Sequence, residues 1–496
     1  MNDKQDILIV VDVGTSSMRC ALIDTAAQVI WIQQEKYSPQ FISDILVEQD
    51  PETWRSSCLN LLQAANGYIR QENLVPLAIS MTSQRSSVIP VDQNGKPLLD
   101  AIMWQDKRVQ PICAELQQIN DKIIQLSGAS VNSAFAGSKM RWIAENRPDI
   151  YDAAHKLLTP ADYLVCHLTG EFVTDQSYGS RTSLMNIRTR QWDPELLDLY
   201  HVDRAKLCRL AEPSSVVGEL NQTAASLTGL PLHLSVISAG GDQQCSALGL
   251  GVLQGGDLEV TAGTGGYVIS ASQAVPEKLD RSFICGVSAI PGQYVLETTM
   301  LTCSSAFDFF IKQYFAHEAK PYAVADQEIS ATPAGSNGIT VLPFFQGRGS
   351  PDWNIQAKAQ ILDISLGSTR GAMARACLEG LACEFANHID IISNQVGPIN
   401  SMMISGGMFK NPDFSQMLAD FTQRDLLHSP DYESTLFGAW MSAAVNLGLY
   451  QNYAQAFAKI RLVHHFKYVR ASAENKLLYE NLKAKFNRSY QNCCKS

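Results

Sequence analysis

ILIVVDVGTSSMRCALIDTAAQVIWIQQ (7–34) holds three short apolar runs separated by turn residues. The first, ILIVV, is β-branched and ends at Asp12-Val13-Gly14-Thr15-Ser16; the others cover 18–23 and 29–32. Such runs, bounded by Asp, Gly, Thr and Ser, predict a β-meander whose first hairpin tip is small and hydroxylated. DLEVTAGTGGYVISAS (257–272) repeats the pattern: strand, Gly/Thr-rich tip, returning strand. Recurrence at about mid-chain predicts two related domains facing each other, divided near 240–256 and assigned as 1–245 and 246–496, the latter ending in a helical tail from about 450.

Outward from these hairpins, strand and helix signals alternate. Asp50-Pro51 opens a helical segment with Trp54, Leu59, Leu61 and Leu62. Apolar runs at 77–83, 88–92 and 101–104 read as strands, with an NGK turn at 94–96. Residues 367–395 carry apolar side chains at 372, 376, 381, 385, 389 and 392, the spacing of a long amphipathic helix. SMMISGGMFKNPDFSQMLADFTQ (401–423) reads as a strand, a double glycine, then a helix capped by Asn411 with Pro412 at its first position. Alternation of this kind predicts an α/β architecture.

Bulk properties narrow the function class. A chain of 496 residues exceeds one ordinary core, and 46% hydrophobic with 18% charged residues is globular. The net charge of −10 argues against a nucleic-acid binder, whose phosphate contacts need a basic surface. The start, MNDKQD, is polar and no apolar run reaches the ~18 residues of a membrane span, so neither a leader nor a membrane anchor is expected. The 12 cysteines form no C-x-x-C pair and fit a reducing cytoplasm. Cys493-Cys494 and His464-His465 read as tail or surface features, and Trp142 as packing.

GGDQQCSALGLG (240–251) places one carboxylate after the apolar segment 234–239. Asp242 there is either a helix N-cap or a catalytic base on a glycine turn. The hairpin tips have a similar choice: turn chemistry alone, or backbone N–H and hydroxyl groups holding a polyphosphate from both sides, with Asp12 holding a metal ion through water. Neither a P-loop nor a strand followed by G-x-G-x-x-G is present.

Nine segments occur in order: Asp12-x-Gly14-Thr15-Ser16, TSQRSS (82–87), AIMWQDKR (101–108), KMRWIAEN (139–146), GGDQQ (240–244), AGTGG (262–266), GRGSPDWN (347–354), RACLEG (375–380) and SGGMFKN (405–411). Together they resemble the FGGY carbohydrate kinases, a family that includes glycerol kinase, xylulokinase and autoinducer-2 kinase. The resemblance spans roughly residues 7–448. It implies two ribonuclease-H-like domains of the actin/hexokinase ATPase type, with ATP, Mg²⁺ and a sugar or polyol in the cleft between them. It further implies Asp242 as the base that accepts the substrate's hydroxyl proton, and Asp12 with Asp242 as the residues that position the metal. Thr15, Ser16, Ser17 and Arg19 would line the ATP phosphates, Gly263 and Thr264 the opposite phosphate loop, and Gly407 and Asn411 the adenosine. Gln84, Arg85, Trp104, Asp106, Asp242 and Gln243 fall where the family binds its acceptor. An Asp at a helix start is expected to keep a low pKa and act as a modest base.

The chain departs from its relatives where they set specificity. Glycerol kinases are expected to place Glu after Gln-Arg and Tyr before F-x-G-x-K; here these positions are Ser86 and Ala134. Xylulokinases are expected to carry Met-His-Gly after the Gln, and autoinducer-2 kinases Arg-Glu-Gly; here Arg85-Ser86-Ser87 stands there. Smaller side chains imply a roomier polar pocket, hence a ketose or polyol larger than glycerol. Glycerol or autoinducer-2 precursor phosphorylation is the alternative within the family. An actin-like ATPase or a non-catalytic sugar sensor is the alternative outside it, and the resemblance also makes a homodimer an expectation.

Overall fold

The structure, a computed structural model, describes residues 5–428 and 433–494; part of the polar N-terminal stretch lies outside them. Its first half is built on β1 (Asp6–Val13), β2 (Ser17–Asp24), β3 (Val29–Lys36), α1 (Pro51–Gln71), β4 (Val75–Ser83), α2 (Pro160–Thr169), β5 (Ser215–Glu219), β6 (Ser235–Gly241) and α3 (Asp242–Gly249). The strands form one sheet in the order β5-β6-β4-β1-β2-β3. β1, β2 and β3 are an antiparallel meander, β4 and β6 run parallel to β1, and β5 is an antiparallel edge.

β1 is apolar on both faces because both are covered, as expected of a central strand with parallel pairing. Ile7, Ile9, Val11 and Val13 pack with Trp54, Leu61 and Leu62 of α1. Leu8 and Val10 point the other way, since successive side chains alternate across a sheet. α1 starts where the sequence predicts: the Asp50 side chain accepts from the Glu52 N–H at 2.9 Å, with Pro51 behind it.

The second half comprises β7 (Asp257–Ala262), β8 (Gly266–Ser272), β9 (Ile284–Val287), β10 (Tyr294–Met300), α4 (Arg370–Val396), β11 (Ser401–Ser405), α5 (Pro412–Thr422), β12 (Leu426–His428), α6 (Ser434–Asn446), α7 (Tyr453–Val463), β13 (Lys467–Val469) and α8 (Lys476–Cys494). Its sheet runs β9-β10-β8-β7-β11-β12-β13. Again a meander (β7, β8, β10) is followed by two strands parallel to the first (β11, β12) and an antiparallel edge (β13). The internal repeat inferred from two hairpins is thus a duplicated ribonuclease-H-like sheet, with β9 added at one edge. The α/β fold is as expected. All six apolar positions predicted to face the core from α4 are buried.

The chain past 450 is not the simple helical tail expected. Between the helices α7 and α8, β13 completes the second sheet, while α7, together with α6 just before residue 450, packs against the first. Leu436, Phe437 and Trp440 of α6 pack with Leu8 and Val10, and burying a Leu or Phe side chain contributes about 1.5–3 kcal/mol. The Trp440 indole N–H donates to the Asp24 carbonyl at 3.0 Å. Cys493 and Cys494 are not frayed either: α8 runs through both, and the Cys494 carbonyl accepts from Asn354 at 2.8 Å. His464 is half-buried against the Phe437 ring rather than on the surface.

Candidate active site

β6 ends in a sharp turn that sets Asp242 at the start of α3. Gly240 has φ +109, a left-handed conformation that disfavours any side chain. A Cβ on Gly241 would lie 2.6 Å from Arg85 Cδ, so only glycine lets the arginine stem pass. Segment 174–183, which the sequence reading left unassigned, clamps this turn. The Tyr178 hydroxyl donates to the Gly240 carbonyl at 2.9 Å, as does Thr82 at 2.8 Å, and the Gly241 N–H donates to Ser177 Oγ at 3.0 Å. The one signal available was its density of hydroxyl side chains around a single arginine, which is generic turn chemistry when read alone.

Asp242 is not the N-cap of α3; Gly241 is, and Asp242 is the first helical residue. Its Oδ1 accepts from the Gln243 N–H at 2.8 Å and faces Arg85 Nε at 3.2 Å, while Oδ2 accepts no hydrogen bond from the described residues. The low pKa expected of a helix-start aspartate is corrected too. Burial pushes the carboxyl up, and outweighs Arg85 and the Gln243 N–H, which pull it down. Asp12, at the end of β1, is also raised by burial, against the pull of Arg19 at 2.6 Å, and it feels the charge of Asp242. Arg19 bridges Asp12 to Glu433, at the start of α6.

Behind Asp242 lies a buried charge cluster. Arg85 reaches Gln244 Oε1 at 3.3 Å and Glu297 Oε2 at 3.6 Å. Arg181 also pairs with Glu297, which projects from β10 of the other sheet. Burial would raise Glu297, but the two guanidiniums hold it below the ordinary carboxylate range. Gln243 Oε1 and Gln244 Nε2 are buried without a partner among the described residues, which leaves polar capacity for a ligand.

The first hairpin tip is tied to the same wall. Trp104 Nε1 donates to Thr15 Oγ1 at 3.0 Å, and the Gln84 backbone N–H donates to Val13 O at 2.7 Å. Ser16 is exposed at the tip, and Ser17 Oγ accepts from Gln34 at 2.7 Å. Across the cleft the second tip is held from behind: the Cys303 and Ser304 N–H groups donate to the Thr264 and Gly263 carbonyls. Thr264 is exposed. Gly407 is exposed as well, with nothing within 4 Å of a would-be Cβ. Asn411 caps α5 as predicted, accepting from Phe414 N–H at 2.9 Å, and its Nδ2 donates to Asp326.

Asp106 departs from its expected role as an open acceptor beside Trp104. It is fully buried, with both oxygens taken by Arg108 and one also by the Val47 N–H at 2.7 Å. Ser86 is buried, at φ +73, and its hydroxyl donates to the Arg181 carbonyl. The Ala134 carbonyl is one of three that accept from Lys139, an amine that burial pulls down to about 7. A wide surface hollow of about 460 Å³ lined by Trp192, Leu197, His201 and Arg204 contains none of these residues.

Residues 7–249 match the N-terminal domain of the FGGY family of carbohydrate kinases, and residues 258–447 match its C-terminal domain. The chain belongs to that family. The kinase is 30% identical to a glycerol kinase of Deinococcus radiodurans over 468 residues, 91% of each chain. It is 28% identical to a glycerol kinase of Saccharolobus islandicus over 460 residues, 90% of this chain and 89% of that one. In fold it is similar to a xylulose kinase from Rhodospirillum rubrum, with TM-score 0.91, 24% identity and 98% coverage of both chains. A gluconate kinase from Lactobacillus acidophilus gives TM-score 0.92 with 20% identity and 99% coverage of both.

The kinase transfers a phosphoryl group from ATP, with Mg²⁺, to a sugar or polyol hydroxyl. Mg²⁺ is usually held by one or two carboxylates plus waters and substrate phosphates, and Asp12 and Asp242, near enough for one charge to act on the other, have the chemistry to fit such a set. Among the described residues no cluster of three or more His, Cys, Asp or Glu forms a further cage. No helix among them is long and apolar enough to cross a membrane.

Proposed function

We propose that this kinase phosphorylates a ketose or polyol larger than glycerol, with Asp242 as the general base. The observation that carries the reading is the state of Asp242: one oxygen is fixed by Arg85 and the Gln243 N–H, while the other is open to the cleft. The open oxygen accepts the proton of the attacking hydroxyl, and burial makes the carboxylate a better base than an exposed aspartate. Gln243, Gln84, Arg85 and Trp104 orient the acceptor; Asp106 contributes by fixing Arg108 and the Val47 backbone. Thr15, Ser16 and Ser17 on one side and Gly263 and Thr264 on the other meet the nucleotide phosphates, with Arg19 close by. Asp12 and Asp242 hold the metal, and Gly407 with Asn411 borders the adenosine. When bound, Mg²⁺ neutralises charge on the transferring phosphoryl group.

Acceptor size rests on Ser86 and Ala134, which stand where glycerol kinases are expected to carry Glu and Tyr. Glycerol is the second reading, because the two relatives in sequence named above are glycerol kinases. All twelve cysteines are free and nine of them are buried, which supports a cytoplasmic enzyme; a homodimer is part of the same reading. A coupled ADP-release screen of the purified protein against ketoses and polyols, glycerol included, tests the substrate. Fastest turnover on a four- to six-carbon acceptor is expected. Fastest turnover on glycerol establishes the second reading, and ATP hydrolysis with no acceptor stimulation overturns both.

A further inference from the structure

Glu297 is a carboxylate of the second sheet that makes its contacts in the first half of the molecule. It sits on β10 opposite Ile269 of β8 and Ile284 of β9, and it is 3% exposed. Its partners, Arg85 and Arg181, follow β4 and helix 176–179 of the first half, respectively. Arg85 divides its guanidinium: Nε faces Asp242 at 3.2 Å, while Nη1 faces Gln244 and Glu297. The ion pairs join two cations to two anions, with the Glu259 carboxyl, which burial raises to about 7, also in electrostatic reach of Arg85 and Glu297; removing one member of the pairs leaves a buried charge unpaired.

We propose that Glu297 is a positioning residue for the transfer step: it anchors Arg85 from the second sheet so that Arg85 holds Asp242 with one oxygen free. Without Glu297, the carboxylate left paired with Arg85 is Asp242, whose charge Arg181 also feels. Arg85 then turns toward Asp242 with more than its Nε, and the open oxygen is drawn into a forked ion pair instead of facing the acceptor. Because Glu297 belongs to the other half of the chain, the geometry of Asp242 depends on how the halves meet at this point. The inference rests on the reading of Asp242 as the base, and the test separates the two.

The test combines crystal structures with steady-state kinetics, using D-xylulose and glycerol as acceptor probes. In Glu297→Gln, Arg85 is expected to bring a second nitrogen within 3.5 Å of Asp242. kcat is expected to fall on the order of 10²-fold, the scale of a 1 Å misplacement, with KM for ATP within about twofold. Glu297→Asp retains the charge and recovers part of kcat. The double variant Glu297→Gln/Arg181→Gln restores charge balance should the single variant unfold, and its kcat stays low because Arg85 still lacks its anchor. Adding Glu297→Gln to Asp242→Asn lowers kcat little further, since residues acting through one another are non-additive. An unmoved Arg85, an unchanged kcat, or full additivity in the Asp242→Asn background overturns the role of Glu297. Near-normal turnover of Asp242→Asn alone instead overturns the base assignment, whatever the Glu297 variants do.

Discussion

The two sheets share a topology and differ in what they carry at the same place. β1 ends Asp12-Val13-Gly14-Thr15, and β7 ends Thr261-Ala262-Gly263-Thr264. Asp12 pairs in register with Thr82 on one side and Arg19 on the other. Thr261 pairs with Ser405 and Tyr267 at the matching positions. The first sheet thus has an acid and a base where the second has a hydroxyl and a phenol. Thr261 donates to Glu259 and bonds Ser405, so its polarity is spent inside the fold. Duplicated backbone geometry provides two similar tips, and a single carboxylate, Asp12, sets apart the one proposed to hold the metal.

Breaking this asymmetry at its strongest point means Asp242→Asn. ADP release should fall by ~10²–10⁴-fold with the fold intact, and near-normal turnover would mean the first sheet carries no base. Glu384, buried in the second half away from these residues, should behave oppositely, as part of the core. Glu384 is held at about 2, burial notwithstanding, by Arg348 at 2.6 Å. Its stabilisation is fully present above the unfolded value near 4.5 and is lost as pH falls from there toward 2. Glu384→Gln should therefore cost about 3–5 kcal/mol in urea unfolding at pH 7, and much less at pH 2. An equal cost at both pH values would count against the ion pair.

Asp12→Asn sharpens the contrast between the tips. It should weaken activity by roughly 10–100-fold and raise the Mg²⁺ concentration needed for half-maximal rate, an effect typical of residues that orient a metal site. An unchanged Mg²⁺ requirement would leave Asp12 no more functional than Thr261. The smallest effect is expected at Gly407, where a Cβ meets nothing. Gly407→Ala should leave the thermal midpoint unchanged and raise KM for ATP by about threefold, roughly 0.6 kcal/mol of lost approach. A KM that does not move would take the adenosine away from that backbone.

Much of this architecture was legible locally. β-branched runs, turn residues and helical periodicity are properties of neighbours in sequence, so the meanders, the Asp50 and Asn411 caps and the buried face of α4 could be read directly. The resemblance implied that Asp242, Arg85 and Asp12 share one site; in the fold Arg85 faces Asp242, and Asp12 feels its charge. Missed were Ser177, Tyr178, Arg181 and Glu297, because their roles exist only between segments tens to over a hundred residues apart. α6 was missed for the same reason: its apolar face shows that it is buried, but not against which sheet.

Sequence by itself determined the strands, the small hydroxylated tips and a lone aspartate after two glycines, since each follows from local backbone preference. Tertiary structure alone decided that Asp242 is a partly open carboxylate raised by burial and that Asp106 is a closed one. Both are aspartates beside an arginine in sequence or in space. What separates them is how completely the surrounding chain satisfies their oxygens and removes them from water.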